Sequence, residues 1–152
     1  MSFDSFSLDF LGWFYTLACA VAIAAGVAIM LHLHYSGMLK VRYKDYSIWN
    51  DIMLTVIWAI GLAGGVLVLD RSQWGQFLLQ LFCWMLIALV CTSSATRLYT
   101  LQKLRKHMPI SPQEFRTTIM GVVLVVVPIV LFALATIGSL RTEDARRAFG
   151  IH

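Results

Sequence analysis

Four apolar blocks, each long enough to cross about 30 Å of hydrocarbon, which takes roughly 20 helical residues, dominate this 152-residue chain. They run from about Phe10 to Leu33, Ile48 to Leu69, Trp74 to Thr96 and Phe115 to Leu140. The bilayer core offers no water to a backbone amide, so each block must satisfy its own hydrogen bonds as a helix. Composition agrees: 59% of the residues are hydrophobic and 13% charged, against about a quarter charged in soluble domains. The expectation is an all-α integral membrane four-helix bundle, a single transmembrane domain over residues 1–152, with a short C-terminal extension. The first block has no basic segment before it and follows acidic Asp4 and Asp9, so it reads as a span and not as a cleavable signal.

The ends of the spans carry local signals. Asp51 sits in the first turn of the second span, where a carboxylate complements the helix dipole. Ser111-Pro112-Gln113-Glu114 forms a capping box with proline at the first helical position, which starts the fourth helix before the membrane. Pro128 removes one backbone bond mid-span and predicts a kink. The link Asp70–Ser72 is short enough to make the second and third spans a tight antiparallel hairpin. Thr142 is a candidate cap for a short helix carrying Arg146 and Arg147.

The basic residues set an expected orientation. Lys40, Arg42 and Lys44 lie between the first two spans, and Arg97, Lys103, Arg105, Lys106 and Arg116 between the last two, eight in all. The opposite side has four: Arg71, Arg141, Arg146 and Arg147. This asymmetry places both long loops in the cytoplasm and both termini outside, in what reads as a bacterial inner membrane. The net charge of +4 is then mainly a topology signal and not a nucleic-acid footprint. Trp13, Phe14, Tyr15 and Trp74 at one boundary, and Tyr35, Tyr43, Tyr46, Trp49 and Tyr99 at the other, read as an interfacial belt.

Within the spans, small residues recur at helical spacing. Ala18, Ala22 and Gly26 mark one face of the first span, and Gly61 and Gly65, with Gly64 beside them, mark the second. Such residues let helix backbones approach closely, and the expectation is that the first two spans pack through them. Cys19, Cys83 and Cys91 read as small apolar fillers, since no CxxC is present and Cys83 and Cys91 are too far apart on one helix for a disulfide. Gln76 and Gln80 share a face of the third span, with Thr92, Ser93 and Ser94 further along. Polar residues in lipid are costly, and Gln80 either lines a cavity or bonds a neighbouring helix.

The third span's opening, Gly75-Gln76-Phe77-Leu78-Leu79-Gln80-Leu81, and its end, Ala95-Thr96-Arg97-Leu98, carry a resemblance. So do Ile52-Met53-Leu54-Thr55 with Trp58 and Gly61 in the second span, and Phe115-Arg116 at the start of the fourth. Together, over roughly Trp49–Leu140, they resemble the HemJ-type protoporphyrinogen oxidases and their CopD-like relatives. The resemblance implies a four-helix membrane protein that binds haem or porphyrin. Independently of it, His32 at the inner end of the first span is either an interfacial anchor favoured by the helix C-terminus or an axial haem ligand, with Arg97 as a candidate propionate contact. The family's first-span histidine has no counterpart before His32, and Gln80 stands where the family has lysine, so no catalytic residue carries over.

Two function classes follow. The first is a non-catalytic accessory or assembly subunit, a homo-oligomer or part of a larger membrane complex. The second is a haem- or porphyrin-handling oxidoreductase. Small-solute transport is a third, less favoured because no paired broken helices are visible. The expected partners are the lipid bilayer and other membrane protein chains, not nucleic acid.

Overall fold

The computed structural model describes residues 7–39, 44, 48–107 and 112–150, with side chains at all but 104–107, 112 and 114. Lys40, Arg42, Tyr43, Tyr46, Ser111 and His152 lie outside the described residues. In chain order the elements are α1 (Leu8–Tyr35), α2 (Ile48–Leu69), α3 (Gln73–His107), α4 (Pro112–Leu140) and the short α5 (Glu143–Ala148). The protein is an all-α four-helix bundle with a C-terminal extension. α1 to α4 are each long and apolar enough to cross a membrane.

Their bounds follow from local chemistry. Ser7 caps α1, its hydroxyl accepting from the Phe10 amide at 3.2 Å. α1 stops where Gly37 takes a φ of +70°, a left-handed turn that relieves glycine of any Cβ clash. Thr142 caps α5, accepting from the Ala145 amide at 3.4 Å, as its sequence predicts. α4 begins at Pro112 and runs through Pro128 without a break. The α2–α3 hairpin turns over Asp70 and Arg71, and Arg71 itself adopts a φ of +54°. Its guanidinium donates to Asp9 at 2.8 Å, tying the start of α1 to the turn. Both partners are well exposed, so the pair adds at most about 1 kcal/mol in water.

One boundary differs from the reading of sequence. α3 does not end near Thr96 but continues to His107. Its 35 residues span about 52 Å at 1.5 Å per residue, well beyond the hydrocarbon core. What reads as a basic loop is therefore mostly helix, projecting two or three turns past the membrane. Hydropathy marks where a helix leaves lipid, not where it ends.

Burial divides the bundle sharply into two halves. Among the described residues, buried positions lie only in Leu11–Cys19 of α1, Ile57–Val68 of α2, Gly75–Cys83 of α3 and Ala133–Leu140 of α4, plus Ala145 and Phe149. Beyond those stretches, toward the C-terminus of α1 and the N-terminus of α4, no described side chain is buried. Each helix packs on its neighbour in sequence, α1 on α2, α2 on α3, and α3 on α4. α1 reaches α4 at the packed end, where the Phe14 and Phe132 rings are 4.9 Å apart. The molecule thus has a closed end, which holds the α2–α3 turn and α5, and an open end, where α1 and α3 finish and α2 and α4 begin.

Glycine makes the closed end possible. A Cβ on Gly61 would sit 2.7 Å from both Cys19 Sγ and the Phe82 ring. One on Gly65 would sit 2.7 Å from Thr16 Oγ1, and one on Gly64 2.9 Å from the Leu79 backbone nitrogen. Gly75, against the backbone of Leu67 and Val68, is tighter still. The Gly61/Gly65 face is therefore consumed inside the chain, between α1 and α3. In lipid this contact gains dispersion energy, since apolar area itself has nothing to gain by leaving a hydrocarbon solvent.

Candidate functional site

The small-residue stripe on α1 separates into two parts. Ala18, half-buried, lies within the packed stretch of α1. Ala22 and Gly26 instead line a cleft of about 610 Å³ between α1 and α2, bounded on the α2 side by Ile52, Thr55 and Trp58. Gly26 has nothing within 4 Å of where its Cβ would sit. This corrects the expectation that Gly26 packs α1 on α2: the helices diverge before reaching it.

A second and larger cleft, about 1270 Å³, opens between α2, α3 and α4. Its deep part is apolar, with Ile57, Met85 and Leu89, and its mouth carries Thr96, Arg97 and Thr100. The α3 side repeats every three or four residues, from Met85 through Ala88, Leu89, Thr92, Ser93, Thr96 and Arg97, so one whole helix face is turned into the cleft. The hydroxyls there are already used as donors. Thr92 donates to the Ala88 carbonyl at 2.7 Å, Ser93 to Val90 at 3.2 Å, Thr96 to Thr92 at 2.9 Å and Thr100 to Thr96 at 2.9 Å. Back-bonding of this kind lets hydroxyls lie in an apolar helix face without an unsatisfied proton. Among the described residues, Arg97 is the only charged side chain lining the cleft, and it has no ion-pair or hydrogen-bond partner there.

His32 is elsewhere. It is exposed in the last turn of α1 and lines neither cleft. Its backbone carbonyl accepts from the Ser36 amide and hydroxyl, the latter at 2.8 Å, which closes the helix end. The two haem candidates therefore do not line a common cleft among the described residues: Arg97 lines the larger one and His32 neither. Among the described residues, no group of three or more His, Cys, Asp or Glu is placed to hold a metal ion.

The closed end holds a polar cluster that composition did not single out. Tyr15 Oη lies 2.9 Å from Thr136 Oγ1 and 3.5 Å from Cys83 Sγ, all three buried. Thr136 donates its proton to the Phe132 carbonyl at 2.9 Å, so it accepts from Tyr15, and the Tyr15 oxygen is then free to accept from the Cys83 thiol. A single directed chain joins α3, α1 and α4. Tyr15 is thus a core residue and not a member of the interfacial belt. The signal was present in its position: four residues from Cys19, one turn away on the same face. Cys19 and Cys83 are buried and Cys91 exposed, and all three are free thiols. Gln76 also finds a structural role, its amide donating to the Leu140 carbonyl, at the last turn of α4, at 2.6 Å.

Compared with protein-family models, with curated proteins and with solved structures, the chain matches none.

Proposed function

We propose that this is a non-catalytic assembly subunit of the membrane, one that receives a helix of another chain in the α1–α2 cleft. The observation that carries this reading is the position of Gly26. It continues the small-residue face of α1, yet it stands beside an open cleft with no neighbour of its own. Small residues in a span are placed where a backbone comes close. Those of α2 already have such a neighbour within the chain, whereas Gly26 does not. Apart from Thr55 and Asp51 the cleft walls are apolar, as suits a lipid-embedded helix, and Val27, Ile29 and Leu31 on the adjoining α1 surface are exposed.

Particle mass in mild detergent tests it, with Gly26→Leu as the decisive variant. Nothing in the chain obstructs a leucine there, so the monomer folds as before. The expected outcome is an assembly in the parent protein that falls to a single chain in Gly26→Leu with unchanged helix content. A parent that already runs as one chain without a companion would refute the reading.

A further inference from the structure

Independently of the α1–α2 cleft, we propose that the α2–α3–α4 cleft is a binding site for a bilayer phospholipid with an anionic headgroup. Its phosphate rests on Arg97 and its acyl chain runs toward Met85. Three observations converge on this occupant. The first is length. Met85 and Arg97 are twelve residues apart on one face of α3, about 18 Å along the axis. Half the hydrocarbon core is about 15 Å, so the cleft is as deep as one leaflet.

The second is the polarity gradient along that length. The floor, at Ile57 and Met85, adjoins the closed end of the bundle and is apolar. Hydroxyls follow at Thr92, Ser93 and Thr96, with their protons already committed to backbone carbonyls. What they leave facing the cleft are acceptor lone pairs, so they make the wall weakly polar at this depth without donating to a lipid ester. A cation comes last. The sequence of apolar, weakly polar and charged matches that of a phospholipid from tail to phosphate.

The third is charge. Arg97 lacks a counter-charge, and no acidic side chain lines this cleft, among the described residues. An arginine at the membrane boundary pairs bidentately with phosphate oxygens, and basic pockets between spans are a recurrent way to hold anionic headgroups. A partner helix would leave Arg97 unmatched unless it brought its own acid. A volume of about 1270 Å³ also exceeds the roughly 300–1,000 Å³ of ordinary small-molecule sites, as a long, laterally open lipid groove would.

The test uses the full chain in mild detergent, with thermal unfolding followed as phosphatidylglycerol or phosphatidylcholine is added. Phosphatidylglycerol is expected to raise the midpoint at concentrations where phosphatidylcholine leaves it unchanged. Arg97→Gln weakens the apparent affinity about tenfold, the loss of one charge-assisted contact, while Arg97→Lys retains most of it. Arg116→Gln keeps the response, because Arg116 lies at the same end of the molecule but lines neither cleft. Intact-particle mass spectrometry should find one retained phospholipid per chain, absent in Arg97→Gln and in Ala88→Trp, which fills the groove and leaves the cation in place. Equal stabilisation by both lipids overturns the proposal. So does an undiminished response in Arg97→Gln, or a photo-crosslinker at Leu89 that captures protein and no lipid. None of these readouts involves Gly26, so the two cleft assignments fail or stand separately.

Discussion

A single hydrogen atom decides the packing at several positions of this bundle. Gly64 and Gly75 face backbone, which cannot step aside, whereas Gly61 faces a thiol and a ring that have some freedom, and Gly26 faces nothing. Alanine substitutions should therefore rank in that order. Gly64→Ala and Gly75→Ala are expected to destabilise by about 2–3 kcal/mol, the upper range of overpacking, and Gly61→Ala by about 1–2. Gly26→Ala should be neutral or slightly stabilising to the chain, since alanine is the better helix former by about 1 kcal/mol. Unfolding in mixed detergent micelles reads the series, and a destabilised Gly26→Ala would contradict the open cleft. The importance of Gly61 and Gly65 was legible in sequence, because GxxxG has a spacing that helices recognise. That of Gly75 was not: its neighbour, Leu67, lies across a turn, and no periodicity links the two. That His32 lines neither cleft was illegible for a related reason. Sequence supplies a residue's chemistry and its depth, but the direction in which α1 turns it depends on which face α2 occupies.

At the level of the element, the spans were readable to within a few residues because lipid imposes both a length and an apolar composition. α2 begins and ends where hydropathy puts it, at Ile48 and Leu69. α3 runs past Thr96 because nothing in Arg97–His107 stops a helix; only the membrane criterion ends there. α5 shows the opposite case. Its six residues would not be stable as an isolated helix, and it is held by Ala145 and Phe149, each 3% exposed against the closed end. A lone phenylalanine near a C-terminus gives no periodic signal, so its role as an anchor was invisible. Phe149→Ala is expected to cost about 3 kcal/mol, as a buried ring truncated to a methyl does. It should also release the tail to protease while α1 to α4 keep their helix content. A tail equally protected in that variant would show that Thr142 capping and the Ala145 contact hold α5 without the ring.

The whole molecule is asymmetric in packing in the same sense as it is asymmetric in charge. The closed end is crossed by tertiary hydrogen bonds from different elements: Arg71 to Asp9, Gln76 to the Leu140 carbonyl, and Tyr15 to Thr136 and Cys83. Both clefts lie at the open end. Lys44, Arg97, Lys103 and Arg116 belong to that open end, together with Lys40 and Arg42 by their place in sequence. If short basic segments stay on the cytoplasmic side during insertion, the open end faces the cytoplasm and the closed end faces outward. The clefts would then draw on the inner leaflet, which carries the negative surface potential and the anionic lipids that Arg97 could bind. The orientation can be measured apart from any ligand. A reporter active only in the cytoplasm, fused after Lys103, should be active, and the same reporter fused after Gly150 should be silent, with the complementary periplasmic reporter giving the reverse. The arginines at 141, 146 and 147 pull against this arrangement, and Glu143 and Asp144 beside them offset part of that pull. Arg141→Gln with Arg146→Gln and Arg147→Gln should leave the topology as it is or sharpen it. A cytoplasmic C-terminus would invert the bundle, place both clefts in the outer leaflet, and remove the electrostatic reason for an anionic lipid to collect at Arg97.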